Sequence, residues 1–153
     1  MNVFFSDEQD RPVDAPSLRA FAEMVVSAEG YGPEAELSVM LVDPDQMSEY
    51  NRRFMGRNGP TDVLAFPLED LTAGEVPPRL TGEPPVVLGD VFLCPSEIEK
   101  RARREHLPFE NFLHLLLAHG ILHLLGYDHD EEETADAMER REEELLALIG
   151  RSI

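Results

Sequence analysis

The apolar segment from Pro108 to Gly126 constrains the fold of this chain more than any other feature. It is apolar on nearly every side of a helix, which predicts a helix buried among other elements rather than one lying on a surface. Gly126 follows at the position where a left-handed C-terminal cap is favoured. The run from Phe112 to Leu125 is interrupted by histidines and is too short to cross a bilayer, so we expect a central core helix and no membrane partner.

Short β-like runs alternate with helical periodicity along the rest of the chain, and no internal repeat is visible. The spacing predicts an α+β fold with four strands and about five helices in a single domain over residues 1–153. The strands are predicted at residues 2–6, 36–42, 63–66 and 86–94, and the helices at 17–28, from Pro44, from Ser96, from Pro108 and at about 131–149.

Local signals support several of these boundaries. Asp43 can cap a helix whose first position is Pro44, and Gln46 completes a capping box. Ser96 and Glu99 have the same capping-box spacing. Residues 72–85 hold four prolines and two glycines, which predicts a mobile loop. In the helix from Pro44, the side chains expected to face the core are Met47, Tyr50 and Phe54.

Charge and cysteine content narrow the class of protein. With 13 basic and 31 acidic residues the net charge is −18, which argues against wholesale wrapping of nucleic acid or adhesion to an anionic membrane. The only cysteine, Cys94, cannot form an internal disulfide, and the first ten residues lack both the basic and the apolar regions of a signal peptide. These features predict a cytoplasmic protein.

The central helix carries a pattern typical of a metal site. His119 and His123 are four residues apart and therefore share one helix face, while His129 follows just past Gly126, where the chain can turn back. Three imidazoles suit one Zn²⁺ ion and leave a fourth position for water, which is typical of a catalytic site. His114 points about 140° away from the ligand face, so we expect it to have a packing role or to support a ligand.

The spacing of these histidines also resembles the metzincin metalloprotease signature, H-E-x-x-H-x-x-G-x-x-H. Gly120 stands where that signature has its general-base glutamate, which disfavours peptide hydrolysis by that mechanism. Asp128 or Asp130 could instead reach the bound water. A zinc metallopeptidase therefore stays as an alternative.

Residues 119–130, HGILHLLGYDHD, resemble the YbeY family of rRNA maturation factors, whose hallmark is H-G-x-L-H-L-x-G-Y-D-H. Two further family segments are found as GPTDVLAFP, residues 59–67, and LGDVFLCPSEI, residues 88–98. The resemblance covers roughly residues 36–149. It implies a small mixed sheet packed with helices, in which His119, His123 and His129 hold zinc.

The resemblance also implies a function. Members of this family act as single-strand-specific, metal-dependent endoribonucleases in 16S rRNA 3′-end maturation and in quality control of the small ribosomal subunit. Single-stranded rRNA and the small subunit are therefore the expected partners. A non-catalytic ribosome assembly factor with a structural metal is a second alternative, and it predicts that His123→Ala unfolds the protein.

The chain departs from the family pattern at one place. Many members carry an arginine in a Y-R-G-K-D segment where this chain has Phe54-Met55-Gly56-Arg57-Asn58. Met55 cannot bind a phosphate oxygen, whereas a guanidinium at Arg53 or Arg57 can do so bidentately. We expect one of these two arginines to act in catalysis, and Arg57 is the candidate included in the site.

The basic residues are clustered. Seven of the 13 fall in two short groups, one made of Arg52, Arg53 and Arg57 and the other of residues 100–104. We expect these groups to flank the metal cleft and to steer phosphate toward it, with the acidic last helix facing away.

Overall fold

Strands and helices alternate along residues 2–153, the part of the chain that this computed structural model describes. These residues form four strands, namely β1 (Asn2–Asp7), β2 (Glu36–Leu41), β3 (Val63–Pro67) and β4 (Val87–Leu93). The same residues form five helices, namely α1 (Ala15–Ala28), α2 (Pro44–Met55), α3 (Pro95–Arg104), α4 (Phe109–Leu124) and α5 (Glu132–Ala147). Every predicted element is present, and its ends differ from the prediction by one or two residues.

The strands form one mixed sheet in the order β1-β2-β4-β3. β1 pairs parallel with β2 and β2 pairs parallel with β4, whereas β3 runs antiparallel to β4. The predicted α+β class and the mixed four-stranded sheet are therefore confirmed. Since β3 lies at one end of this order, it is an edge strand with a neighbour on one side.

Helix α4 crosses the core, as its composition predicts. Ten of its 16 residues are buried, and it contacts α1, α3, α5 and the strands β3 and β4. At Gly120 the helix lies so close to the sheet that a Cβ atom there would be 2.7 Å from Cγ1 of the buried Val91. Glycine is therefore what lets the histidine-bearing part of α4 approach β4.

Helix α2 packs on the other face of the sheet. Side chains alternate along a strand, so Phe92 of β4 points away from the α4 side, to which Val91 points. Met47 is buried there in a cluster with Phe92, and Tyr50 packs against it. Phe54 was expected to face the core as well, but 57% of it is exposed because it lies in the last turn of the helix, over Phe66 of the edge strand β3.

The starts of two helices show which capping signals are used. Asp43 caps α2 and forms the predicted capping box with Gln46. The capping box predicted for Ser96 and Glu99 is wrong, because α3 begins at Pro95 and its N-cap residue is Cys94, which makes no side-chain capping hydrogen bond. Proline fits the first helical position, and this moves the helix start one residue toward β4.

Residues 68–86 connect β3 to β4 as a loop that holds one isolated bridge, between Thr72 and Glu75. The start of this loop packs on the turn after α4, where Gly126 faces the backbone of Leu71 and Ala73. None of the helices in residues 2–153 combines the length and the apolar character that crossing a membrane requires.

Candidate metal centre and its two cavities

His119, His123 and His129 come together in the structure. The first two lie one turn apart on α4, and their Nε2 atoms are 3.1 Å from each other. One ligand nitrogen from each of the three rings lies within 4.8 Å of the other two. Within residues 2–153, this group of mutually close ligand atoms contains these three side chains and no fourth.

The Nδ1 atoms of the two helical histidines already have partners. Nδ1 of His123 lies 3.0 Å from the backbone oxygen of Tyr127, and Nδ1 of His119 lies 2.6 Å from Oε1 of Glu142. A carbonyl or carboxylate oxygen can only accept, so each Nδ1 carries the proton and donates it. The Nε2 atoms are therefore left as acceptors that face each other, which is the arrangement that a shared cation satisfies.

The environment of His123 keeps its ring neutral. Burial lowers the pKa of His123, and the neighbouring His119 and His129 rings lower this pKa further. A neutral imidazole is the form that binds a metal ion. The donor set of three imidazoles thus fits a borderline divalent cation such as zinc.

The turn that follows α4 delivers His129 to the other two rings. Gly126 has a φ of +99°, as predicted for a left-handed cap, and this lets the chain reverse. The hydroxyl of Tyr127 donates to Glu29 at 3.2 Å, and Glu29 also binds Nε of Arg141 at 2.7 Å. The turn is therefore tied to the end of α1 and to α5.

Glu142 is the site residue that the sequence analysis missed. It lies on α5, is 7% exposed, and accepts the hydrogen bond from His119. The expectation that the acidic last helix faces away is therefore wrong for Glu142, and also for Glu139 and Glu143, which line a cavity together with His119 and His129. A signal was present in the sequence, because Glu142 shares the inward spacing of Met138, Leu145 and Leu146, and an acid on such a stripe needs a partner.

Two cavities meet at the histidines, and His119 and His129 line both of them. The first, here called the α5 cavity, has a volume of about 600 Å³ and runs between α4 and α5 past Met138 and Glu142. The second, here called the histidine cleft, has a volume of about 560 Å³ and runs along the edge strand β3 to the end of α2. His119 and His129 are therefore accessible from both cavities.

The histidine cleft contains Arg57 and not Arg53. Arg57 and Asn58 line it together with Met55, in the segment where the family arginine is replaced. Arg53 is exposed outside this lining, with its guanidinium carbon 5.8 Å from the ring centre of Phe54. Of the two arginines considered from the sequence, Arg57 is thus the one that shares a cavity with the histidines.

The basic group on α3 is largely paired with acids. Arg101 binds Asp62 and Glu105, each at 2.7 Å, and lines the α5 cavity. Of the other basic residues of this group, Lys100 pairs with Glu97 and Arg103 pairs with Glu99. Arg101 therefore flanks the centre as expected, but much of the positive charge of this group is offset by neighbouring carboxylates.

His114 is separate from the metal centre. It is fully buried, its Nε2 lies 3.0 Å from Oγ of Ser17, and its Nδ1 lies 2.7 Å from the backbone oxygen of Glu110. Burial lowers its pKa. His114 thus joins α4 to α1, which confirms the packing role expected from its position on the helix.

Gly120 also bears on the type of chemistry. A glutamate at this position would need space that Val91 occupies, since even a Cβ atom would lie 2.7 Å from Cγ1 of Val91. The general base of a metzincin therefore has no room at this position of the helix.

Comparisons with known proteins agree with these features. The sequence model of the family described as Endoribonuclease YbeY matches residues 4–150. A protein of Salinispora tropica named Endoribonuclease YbeY is 42% identical over 153 residues, covering 99% of this chain and 93% of the relative. One of Frankia casuarinae with the same name is 43% identical over 148 residues, covering 96% of this chain and 74% of the relative.

A solved structure is also similar. The solution structure of a Thermotoga maritima protein superimposes with a TM-score of 0.64 at 29% sequence identity. The match covers 96% of this chain and 91% of the other. The similarity therefore extends over nearly all of both chains.

Proposed function

The chain belongs to the YbeY endoribonuclease family, and from this premise we propose that it cuts single-stranded ribosomal RNA at the three-histidine centre. The observation that carries the proposal is the convergence of His119, His123 and His129 within 4.8 Å, with the Nδ1 atoms of the two helical rings already bound. Such a set leaves ligand nitrogens facing one point beside an open cleft.

We propose that this centre holds one Zn²⁺ ion. Zinc supplies a Lewis acid that polarises a phosphoryl oxygen and brings the pKa of a bound water to about 7. His119, His123 and His129 would hold the ion, and Glu142 would hold His119 in orientation. The lowered pKa of His123 keeps this ring in the form that binds the ion at neutral pH.

Arg57 is proposed to bind the phosphate next to the bond that is cut. Its guanidinium can donate two parallel hydrogen bonds to phosphate oxygens, which orients the phosphorus toward the histidines. It lines the same cavity as all three histidines, so one nucleotide can contact both. This role is the one that the sequence left open between Arg53 and Arg57.

The proposed substrate is the 3′ end of 16S rRNA on the small ribosomal subunit, which places the protein in the cytoplasm. Residues 1–153 would act as one metal-dependent hydrolase domain. The peptidase alternative is disfavoured because position 120 holds glycine instead of the general-base glutamate, and Val91 leaves no space for such a side chain there. The assembly-factor alternative is separated from the proposal by the His123 variant considered in the Discussion.

The experiment that tests the proposal compares three substrates with the purified, zinc-loaded protein. These are a single-stranded RNA with the sequence of the 16S 3′ end, the same RNA annealed to its complement, and an unstructured peptide. Cleavage of the single strand alone is expected. Cleavage of the peptide would contradict the proposal. So would a protein that binds zinc and cleaves none of the three substrates.

Glu142→Ala is expected to weaken zinc binding by about 10-fold to 100-fold, the usual effect of losing a partner that orients a metal-binding histidine. The His119 ring loses its acceptor and rotates more freely, so part of the binding energy is spent on ordering it. The measurement is the zinc dissociation constant by competition with a chromophoric chelator. Glu143→Ala is the matched control, because Glu143 lines the same cavity but is exposed and lies one residue away. Equal constants for the two variants would exclude the role given to Glu142.

Arg57→Gln is expected to lower kcat for single-stranded RNA by about 10-fold to 100-fold while zinc content stays unchanged. The reason is that a phosphate loses a charged, bidentate partner in the cleft. Arg140→Gln removes the same charge from an exposed position on α5 and serves as the control. If both variants cleave RNA at the same rate, Arg57 has no role in RNA cleavage.

A further inference from the structure

Phe54 is an aromatic side chain that the fold leaves exposed. It lies in the last turn of α2, and 57% of it is accessible to solvent. Below it, the Phe66 ring of β3 lies 5.2 Å away between ring centres, and Phe66 in turn contacts Phe92 at 5.6 Å. Phe54 therefore packs against Phe66 and Tyr50 of an aromatic cluster, and more than half of it still faces solvent.

This exposed ring adjoins the histidine cleft. Met55 and Pro67, the residues that directly follow Phe54 and Phe66 in the chain, both line that cleft. Arg57 lines it as well, two residues after Met55. The exposed ring of Phe54 is therefore carried by the same short segment that borders the cleft.

The charge beside Phe54 suits a polyanion. The guanidinium carbon of Arg53 lies 5.8 Å from the centre of the Phe54 ring, and Arg57 follows at the end of the helix. Arg52 is the basic residue of this segment that pairs with an acid, Glu49, at 2.7 Å. A positively charged border around an exposed aromatic ring is the combination by which proteins bind single-stranded nucleic acid, through stacking and backbone contacts.

We propose that Phe54, supported by Phe66, is a stacking platform for one base of single-stranded RNA just outside the histidine cleft. The inference rests on the proposed function, because it takes RNA as the occupant. The platform explains a preference for single strands, since a base can stack on a protein ring only when it is free of its own helix. The ring accepts any base, because every base has a π-face, so this site contributes affinity without sequence preference.

Phe54→Leu is the variant that tests the platform, because leucine keeps the apolar cover over Phe66 but has no aromatic face. The probe is a short single-stranded 2′-O-methyl RNA that carries 2-aminopurine at successive positions, and a denaturing gel checks that it stays intact during the measurement. We expect its dissociation constant, measured by fluorescence anisotropy, to rise between about 5-fold and about 100-fold, the loss of one stacked base. We also expect one 2-aminopurine position to be quenched on binding to the wild type but not to this variant.

Two further variants serve as controls for the effect of Phe54→Leu on RNA binding. Phe54→Trp restores an aromatic face and is expected to bind as tightly as the wild type. Phe4→Leu is the matched control, because Phe4 is 60% exposed on β1, at the opposite edge of the sheet from β3. It is expected to leave both anisotropy and quenching unchanged.

Several outcomes would overturn the platform. These are a wild type that does not bind the probe, equal affinities for Phe54→Leu and Phe4→Leu, or a change in sedimentation rather than in RNA affinity, which would make the ring a contact between copies of the chain. The proposed function fails separately. If the wild type binds RNA through Phe54 but cuts no RNA, the nuclease is rejected and the platform is kept. If the wild type cuts RNA but Phe54→Leu binds the probe as tightly, the platform is rejected and the nuclease is kept.

Discussion

His123→Ala is expected to lose its zinc and to lower kcat/KM for single-stranded RNA by about 10³-fold or more, while the chain remains folded. Two imidazoles, His119 and His129, then remain of a set of three. A bound ion contributes several kcal/mol of transition-state stabilisation, and a factor of 10³ corresponds to about 4 kcal/mol. The loss of the ion is therefore enough to account for the expected fall in rate.

The protein is expected to remain folded after this change because His123 is not part of the hydrophobic core. Its neighbours on α4, Leu122 and Leu124, are buried, whereas His123 is only partly buried and faces the cleft. The variant loses one hydrogen bond, from Nδ1 to the backbone oxygen of Tyr127, which costs about 0.5–1.5 kcal/mol. A small domain with several kcal/mol of stability tolerates this loss.

The measurement combines metal content, urea unfolding and single-turnover cleavage on the same preparations. His106→Asn is the control, because His106 is an exposed histidine outside the centre and its φ of +57° is one that asparagine tolerates. Unfolding of His123→Ala would favour the assembly factor with a structural metal. Loss of zinc with unchanged cleavage would mean that a contaminating nuclease cuts the RNA.

Gly126→Ala is expected to destabilise the protein by about 3 kcal/mol or more, a large effect for the addition of one methyl group. Gly126 has a φ of +99°, which L-residues rarely adopt. In addition, the new Cβ atom would lie 2.2 Å from the backbone oxygen of Leu71 and 2.9 Å from the backbone nitrogen of Ala73. Either the turn or the β3–β4 loop must move, because backbone atoms cannot rotate away as a side chain can.

Gly56→Ala separates the two causes of this destabilisation. Gly56 also has a positive φ, +65°, at the end of α2, but a Cβ atom there would have no neighbour within 4 Å. Its substitution is expected to cost only about 1 kcal/mol, from the backbone conformation alone. The difference between the two variants in urea unfolding then measures the contact with the loop. Equal costs would show that the loop adapts freely.

The same Gly126 variant is expected to weaken zinc binding, since the turn that must shift is the one that places His129. Gly56→Ala should leave the zinc dissociation constant unchanged because α2 carries none of the three histidines. A Gly126 variant that is destabilised and yet binds zinc as tightly as the wild type would contradict the role of this turn in positioning His129.

Much of the fold follows from local patterns in the chain. The apolar composition of α4 predicts its burial, and alternation and turn residues predict the strands to within two residues. The spacing of His119 and His123 determines that they share a helix face, since this depends on helix geometry alone. Asp43 with Pro44 and Gln46 is likewise a local signal, and the capping box forms.

Expectations that depended on distant parts of the chain were less reliable. Phe54 has helical spacing with Met47 and Tyr50, but it is exposed because it packs on Phe66 of the edge strand β3, beyond which no further strand covers it. The acidic last helix was expected to face away, yet Glu142 points at His119 because α5 packs against α4. Periodicity identifies which face of a helix is buried, but it does not predict which residues of other elements pack against that face.

What the sequence by itself determined is the set of elements and the helix face that His119 and His123 share, because both rest on contacts within a few residues along the chain. Only the tertiary structure decided that Arg57 rather than Arg53 lines the cleft, that Glu142 binds His119, and that Val91 leaves no room for a side chain at position 120. These three outcomes depend on how closely separate elements approach one another. That distance is set by the packing of the whole core, and it is not encoded in the spacing of neighbouring residues.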